Sequence, residues 1–578
     1  MKQPSGHILG YSGLHHSSGF LKREFPNRPA ILRYFSQGAD SAAALLTAEG
    51  RVFAAAEERF SRVKATGAFP VRAMEFCRQA AGLRWSEIEA VAHGFSYEPY
   101  REPFTRQGEF FARQFEEVYA EKLQLQLLEA HFPDQSLAEK LIPVPHHLAH
   151  AASAFLPSGF SDSLILVADG MGESACTTVA VGSEAGIEII KQIPASDSLG
   201  IFYAVLTCHL GFCMGRDEYK VMGLAPYGDA RVYFSKLMEL VSLKEDGTFT
   251  IPFLSRGDST TDRQMYRGAL DLLQELFGPA RCPDESIETK HRDLAAALQA
   301  VLQTALLHAL KVFKRETGQI RLCLAGGVAL NCTANGAILR SRLFRQMFVQ
   351  AAAGDDGTAL GAALYVAHQR GGPSHLMKPP FWGPSFGSGP VRSDLTREAA
   401  RRLARGEVLG WFQGAMEFGP RALGNRSILA DPRDPRMRDR VNQLVKKREG
   451  FRPFAPAVTE EAAERFFEIR KADIDCFCYM LFVAMVRPEY REKLPAVTHV
   501  DGSARVQVVS KKDNPKFWAL LKAFEQESGL PILLNTSFNV KGEPIVCTPE
   551  DARRTFETAK LDALVIEDTL LAREQAGV

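Results

Sequence analysis

The order of apolar and polar positions divides the chain into strand–turn–strand and strand–turn–helix pieces. HILGYS near the start predicts a short buried strand. ADSAAALLTAEGRVFAAAEERF predicts a hairpin of two apolar strands with its turn at Ala48, Glu49 and Gly50. VRAMEFCRQAAGL spaces its apolar residues as a helix does, and IEAVAHGFS returns to a strand pattern. A related order recurs in DSLILVADGMGESACTTVAVGSEAGIEIIKQI: strand, acidic glycine turn, strand, turn, strand. Each stretch carries an acid near its first turn, Asp40 in one and Asp169 in the other. The repetition predicts two similar α/β lobes facing a cleft.

Two later stretches repeat a different pattern. In RLCLAGGVALNCTANGAIL a strand runs through Gly326 and Gly327 into a helical segment. In FVQAAAGDDGTALGAALYVA a strand meets Gly354-Asp355-Asp356-Gly357 and a helix of small residues. Such turns let a backbone approach a phosphate or ribose and present free N–H groups at a helix start, or they serve as tight crossovers with no ligand. The stretch around RGGPSHLMKPPFWGPSFGSGPV is rich in Pro and Gly and predicts a linker. The expected division is therefore a first domain over 1–372, a linker over 373–392 and a second α/β domain over 393–578.

A chain of 578 residues is too long for one hydrophobic core, which agrees with more than one domain. Its formal net charge of +1 and the lack of a Lys/Arg block give no electrostatic reason for broad nucleic-acid or membrane binding. The opening MKQPSGHILGYSG has too short an apolar run for a signal peptide, and no later run is expected to span a membrane. The ten cysteines contain no CxxC pair, so reduced thiols and a cytoplasmic location are expected.

Candidate chemistry concentrates in a few strings. In PHHLAHAASAF, His146 and His150 stand four apart and share one helix face, where they could present two imidazoles to one metal while His147 points elsewhere. Surface or core histidines give the same spacing. Asp169 and Asp355, at the two acidic turns, are plausible further ligands. Such a His₂Asp₂ set suits Fe²⁺, Mn²⁺ or Zn²⁺. Further on, Arg421 and Arg426 flank glycine turns in MEFGPRALGNRSILADPRDP. Lys446, Lys447, Arg448 and Arg452 surround Phe451 in VNQLVKKREGFRPFAPAV. Guanidinium and ammonium groups in this setting read as an anion grip, although Glu417, Asp431 and Glu449 also allow a salt-bridged surface. THVDGSARVQVV adds Arg505, and LLNTSFNVKGEPIV adds Asn535 at a strand end.

Taken together, AAAEERFSR, HHLAHAASAF, DEYKVMGLAPYG, AGGVALNCTANG, AAGDDGTALGAA, MEFGPRALGNRSILADP, REGFRPFAPAV, THVDGSARVQ and NTSFNVKGEPIV resemble the O-carbamoyltransferases of natural-product and nodulation-factor biosynthesis, over almost the whole chain. The resemblance implies an N-terminal actin/Hsp70-like, Kae1-like two-lobed domain and a C-terminal α/β YrdC-like domain. It implies that the C-terminal domain combines carbamoyl phosphate with ATP to give carbamoyl-adenylate and pyrophosphate. The N-terminal domain then moves the carbamoyl group to a hydroxyl of a small-molecule acceptor. Carried over by position, His146, His150, Asp169 and Asp355 become metal ligands, with iron the expected ion. Lys220, Gly326, Gly327 and Asn331 fall on nucleotide-side motifs. Arg421, Arg426, Lys446, Arg448, Arg452, Arg505 and Asn535 fall on the carbamoyl phosphate and ATP region.

One departure stands out. Where the family reads H-D-S-A-A-A-L, this chain has Ala39 before Asp40, preceded by an insertion from Tyr11 to Gly38 that contains His15 and His16. Asp40, His15, His16 and, just beyond AAAEERFSR, Lys64 are the catalytic candidates. The insertion and the aromatic stretch YEPYREPFTRQGEFFARQFEEVY are candidates for acceptor contacts. The expected partners are the acceptor alone, without nucleic acid or membrane, in a monomer or homodimer. Competing readings are a threonylcarbamoyl-tRNA-type enzyme, an actin-like ATPase and a sugar kinase.

Overall fold

The computed structural model describes residues 6–32, 36–372, 379–387, 389–446 and 449–573. The chain forms two units, one of Met1–Glu57 and Ala65–Leu376, the other of Glu58–Lys64 and Met377–Val578. The contiguous division expected from the linker puts Glu58–Lys64 in the first domain, whereas this segment belongs to the second unit.

The first unit holds two five-stranded sheets of matching order. In one, β1 (His7–Tyr11), β2 (Ala42–Leu46) and β3 (Val52–Ala56) form an antiparallel meander, with β4 (Ile88–His93) and β5 (Leu141–Pro143) parallel to β1 on its other side, giving the order 3-2-1-4-5. In the other, β6 (Ser163–Ala168), β7 (Ala175–Ser183) and β8 (Gly186–Pro194) form the meander. A small ladder of β9 (Ser242–Leu243) and β10 (Phe249–Thr250) intervenes, and β11 (Arg321–Ala325) and β12 (Gln346–Val349) complete the order 8-7-6-11-12. The hairpin predicted around Ala48–Gly50 is β2–β3. The alanine-rich β2 and the apolar run of β6 are buried along their whole length, as strands covered on both faces must be.

Small residues let the helices of this unit come unusually close. A Cβ on Gly361, in the helix Asp356–Gln369, would stand 1.8 Å from the carbonyl oxygen of Ala149, in the helix His146–Phe155. A Cβ on Gly10 of β1 would stand 1.9 Å from the carbonyl of Ala359. Larger side chains at either position would force these elements apart. The seam therefore sets how near the start of one helix lies to the start of the other.

The helix Thr289–Thr317 is long and apolar enough to cross a membrane by length and composition, contrary to the expectation that no run reaches that size. Most of its apolar stretch is buried inside the protein, with Leu294, Leu298, Leu302 and Phe313 in the core. Such a helix owes its composition to burial among other elements.

The second unit is built on a mixed seven-stranded sheet. It comprises β13 (Leu409–Phe412), β14 (Arg426–Ala430), β15 (Ala455–Thr459), β18 (Gln507–Val509), β19 (Ile532–Ser537), β20 (Ala563–Ile566) and β21 (Thr569–Ala572), in the order 18-15-19-14-13-20-21. A separate ladder pairs β16 (Ala484–Met485) with β17 (Ser503–Ala504). The helices Ser393–Ala404 and Pro515–Ser528 share a core with the sheet through Leu403, Trp411, Phe517, Leu521 and Val565. The Asn514 side chain caps the second helix by accepting the Phe517 N–H, and Gly529, at φ 78°, ends it.

Candidate active site

The four predicted ligands of the first unit converge. His146 and His150 rise from one face of the helix His146–Phe155, Asp169 follows β6, and Asp355 precedes the helix Asp356–Gln369. One ligand atom from each lies within 4.8 Å of all the others. The two imidazole Nε2 atoms stand 3.2 Å apart. His146 Nε2 is 3.7 Å from Asp169 Oδ2 and 3.6 Å from Asp355 Oδ1, and His150 Nε2 is 3.7 Å from that same oxygen. Two ligands bound at about 2.1 Å with angles of roughly 90–109° lie about 3.0–3.4 Å apart, so the imidazole pair already has the spacing of a shared ion.

The surroundings orient these donors. His146 Nδ1–H donates to the Gly94 carbonyl at 3.0 Å, which turns Nε2 toward the carboxylates, and Phe95 stacks on the ring at 4.2 Å. Gly94 is required there, because a Cβ would stand 2.7 Å from Thr358 Oγ1. Asp169 Oδ1 accepts the Gly327 N–H at 2.8 Å, leaving Oδ2 for the cluster. Burial opposes charge on His146, Asp169 and Asp355. Even so, Asp169 and Asp355 push His146 well above its ordinary pKa, and His146 in turn holds both carboxyls below theirs. The field that favours a proton on His146 equally favours a cation among the four groups. His147 points away and bonds Thr178 Oγ1 at 2.8 Å; burial lowers its pKa to about 3.

The remaining candidates of this unit have other partners. His15 is exposed and its Nδ1 accepts the Phe69 N–H at 3.0 Å, and His16 packs edge-on against it. Neither belongs to the cluster. From the insertion it is Gln37 that reaches the neighbourhood, donating to the carbonyls of Met171 and Gly172 at 3.0 Å each. Asp40 is exposed in a left-handed turn at φ 57°. Tyr97, Phe115 and Tyr119 of the aromatic stretch form a buried cluster with Phe95 and with Phe20 of the insertion. Gly326, at φ 88°, is required because a Cβ would stand 2.3 Å from the Ala168 carbonyl, a demand the crossover makes by itself. Asn331 likewise serves the fold, capping the helix Cys332–Arg340 and pairing with the Gln299 amide. Lys220 pairs with Asp217 at 3.0 Å.

In the second unit, the loop from Glu417 to Asn425 is held from within. Glu417 Oε1 accepts the N–H groups of Leu423, Asn425 and Arg426 at 2.7, 2.8 and 3.2 Å. A buried amide network surrounds it: Gln413 donates to Asn425 and Asn514, Gln507 to the Leu423 carbonyl, and Asn535 to Gln507 and the Ala422 carbonyl. Arg59, in the Glu58–Lys64 segment, donates to the Gly419 carbonyl at 2.9 Å, and Arg62 to those of Pro544 and Ile545. Lys64 lies exposed at the end of that segment.

Arg426 does not take the anion-gripping place expected for it. It is fully buried, donates to the carbonyls of Gln413, Gly414, Asn425 and Pro384 at 2.8–3.2 Å, and lies 3.6 Å over the Phe412 ring. Lys446 is committed in the same way, to Ser537 and Asn539 at 2.6–3.1 Å. Arg421, Arg452 and Arg505 are half-buried. Lys447 and Arg448 lie outside the described residues.

Residues 33–364 match the family model for the carbamoyltransferase N-terminus, and residues 400–573 match that for the carbamoyltransferase C-terminus. The chain belongs to the carbamoyltransferase family. It is an enzyme of that class. This carbamoyltransferase is 41% identical to nodulation protein NolNO of Sinorhizobium fredii over 557 residues, covering 93% of this chain and 79% of the relative. It is 32% identical to the 3'-hydroxymethylcephem-O-carbamoyltransferase of Streptomyces clavuligerus over 371 residues, 62% of this chain and 65% of the other. Among solved structures, full-length HypF in its phosphate- and nucleotide-bound form aligns with a TM-score of 0.33 at 14% identity, over 65% of this chain and 57% of that one.

Sequence reasoning missed Glu173, Gln37 and the amides Gln413, Gln507 and Asn514, and it read Glu417 as a salt-bridge partner where the structure makes it a brace for backbone N–H groups. Each acts largely on backbone groups or on other amides, which leave no spacing signature. Asn535, at the end of a predicted strand, is the one member of the second unit's amide network that the sequence singled out.

Proposed function

We propose that this carbamoyltransferase is an ATP-dependent O-carbamoyltransferase acting on a hydroxyl of a small-molecule natural product. The observation that carries the reading is the convergence of His146, His150, Asp169 and Asp355 in the first unit. The cephem O-carbamoyltransferase and the nodulation protein among its relatives support a hydroxyl-bearing small molecule as acceptor. The matching order of the two sheets suits an actin/Hsp70-like, Kae1-like domain, and we assign the second unit as the YrdC-like adenylate-forming domain.

In this reading carbamoyl phosphate and ATP meet in the second unit. Carbamoyl phosphate loses its phosphate to one water, the carbamate oxygen attacks the α-phosphorus of ATP, and pyrophosphate leaves carbamoyl-adenylate behind. Arg421, Arg452 and Arg505 are assigned to these anions, because guanidinium groups grip phosphate oxygens and Arg421 sits on a loop braced by Glu417, where it holds them without reorganising. Asn535 is assigned to the same region through its side-chain carbonyl. In the first unit, His146, His150, Asp169 and Asp355 hold a divalent ion, with iron the first choice. When bound, that ion supplies Lewis-acid positioning of a reacting oxygen. Lys220 is assigned to the nucleotide, and Asp40 to the proton lost by the acceptor hydroxyl as AMP departs. Ten free thiols suit a reducing cytoplasm.

The test separates the two units. Arg421→Ala should abolish pyrophosphate release that depends on carbamoyl phosphate. His146→Ala should leave that release intact and abolish transfer to an alcohol. ADP in place of AMP and pyrophosphate would refute the scheme.

A further inference from the structure

Glu173 is not among the four ligands, yet it touches two elements that orient one of them. Its Oε1 accepts the N–H of His146 and the N–H of Ser96, each at 2.8 Å. Ser96 ends the Gly94–Phe95–Ser96 turn, whose first residue accepts the His146 Nδ1–H and whose second stacks on the His146 ring. One carboxylate oxygen thus ties the start of the helix His146–Phe155 to the turn that sets its imidazole. Glu173 lies four residues after Asp169, and the loop joining them is held from the insertion, where the Gln37 amide donates to the carbonyls of Met171 and Gly172. Removing either contact leaves the four ligands in the chain but loosens the frame that aims them.

We propose that Glu173 is a positioning residue for the metal centre, fixing the His146 imidazole in its ligating orientation, and that Gln37 steadies the loop carrying both Glu173 and Asp169. The inference rests on the metal reading given above. Because the bond is made by an oxygen that accepts two N–H groups, it requires an acceptor of the right length and not a negative charge. A glutamine at this position keeps that acceptor, and an alanine removes it.

Co²⁺ titration of the full-length chain, followed by its visible absorption and checked by competition with a chelator, measures this directly. Glu173→Ala should weaken Co²⁺ binding about 10–100-fold, the usual cost of losing a group that orients a ligand. Glu173→Gln should stay within about threefold of wild type, since an amide oxygen still accepts both N–H groups. Gln37→Ala should fall between them, and the earlier melting expected of metal-free Glu173→Ala, which leaves the Ser96 and His146 N–H groups unmet, should be restored along with affinity in Glu173→Gln. Wild-type affinity in Glu173→Ala would overturn the proposal. So would an equal loss in Glu173→Gln, which would make charge the operative property. Wild-type affinity in Gln37→Ala would count against the part assigned to that residue. His146→Ala is the separating control: if it binds Co²⁺ as wild type does, the metal reading itself fails and takes this inference with it.

Discussion

Replacing Arg426 with alanine distinguishes a structural strut from a ligand-binding guanidinium. In the folded second unit its N–H groups satisfy four carbonyls around Gln413–Gly414, Asn425 and Pro384. Its charge lies near buried Glu417, which partly offsets the burial that lowers the Arg426 pKa to about 10. Each buried polar group left unmet costs about 1–3 kcal/mol, and stranding a buried charge costs about 3–5 kcal/mol. Water entry and relaxation recover part of this, so Arg426→Ala should destabilise the unit by about 4–6 kcal/mol. With a urea slope of about 2–3 kcal/mol per molar, the midpoint should fall by about 2 M. Tryptophan fluorescence suits the assay, because Trp382, Trp411 and Trp518 belong to the second unit and Trp85 to the first. Trp411 donates to Gln413, one of the residues Arg426 holds. A midpoint within about 0.3 M of wild type, combined with loss of pyrophosphate release, would refute the strut and restore the anion-gripping role.

Other substitutions test the first unit. Asp355→Asn should leave pyrophosphate release unchanged and lower carbamoyl transfer to an alcohol at least about 100-fold, read by mass spectrometry of the product. Gly326→Ala forces a Cβ to 2.3 Å from the Ala168 carbonyl at a positive φ, and should cost about 2–4 kcal/mol in denaturant unfolding of that unit. Glu57 is buried, and burial lifts its pKa to about 7 against the pull of the Ala73 N–H. The folded state therefore holds this proton more tightly than the unfolded chain does. Its contribution to stability is complete below about pH 4.5 and is lost as pH rises through about 7. Glu57→Gln, which carries no titrating proton, should gain on wild type in melting temperature between pH 5 and 8. A constant difference across that range would contradict the assignment.

The ligand centre was legible in the sequence because its geometry is encoded locally. A four-residue spacing puts His146 and His150 on one helix face, and glycine turns after β6 and β12 put Asp169 and Asp355 beyond the C-terminal ends of those strands. The duplicated strand order was legible for the same reason, since each meander is built from neighbours in sequence. What joins these pieces was not. The approach of the two helices depends on Gly361 meeting the Ala149 carbonyl, a contact between positions more than two hundred residues apart. Arg421 and Arg426 look alike in sequence, both set among glycines. Only the convergence of four carbonyls on Arg426 tells the buried strut from the half-exposed cation. Gln37 and Glu173 hold main-chain groups, which every sequence offers at every position.

The Glu58–Lys64 segment has a consequence for how such a gene can be rearranged. Seven residues written between β3 and the helix Val71–Ala81 supply Arg59 and Arg62 to the second unit. A cut between Leu376 and Met377 would strand both arginines on the other fragment. A chimaera that grafts a foreign C-terminal half at this junction would have to import the matching heptapeptide as well. Recombination should therefore exchange whole genes of this kind more readily than halves.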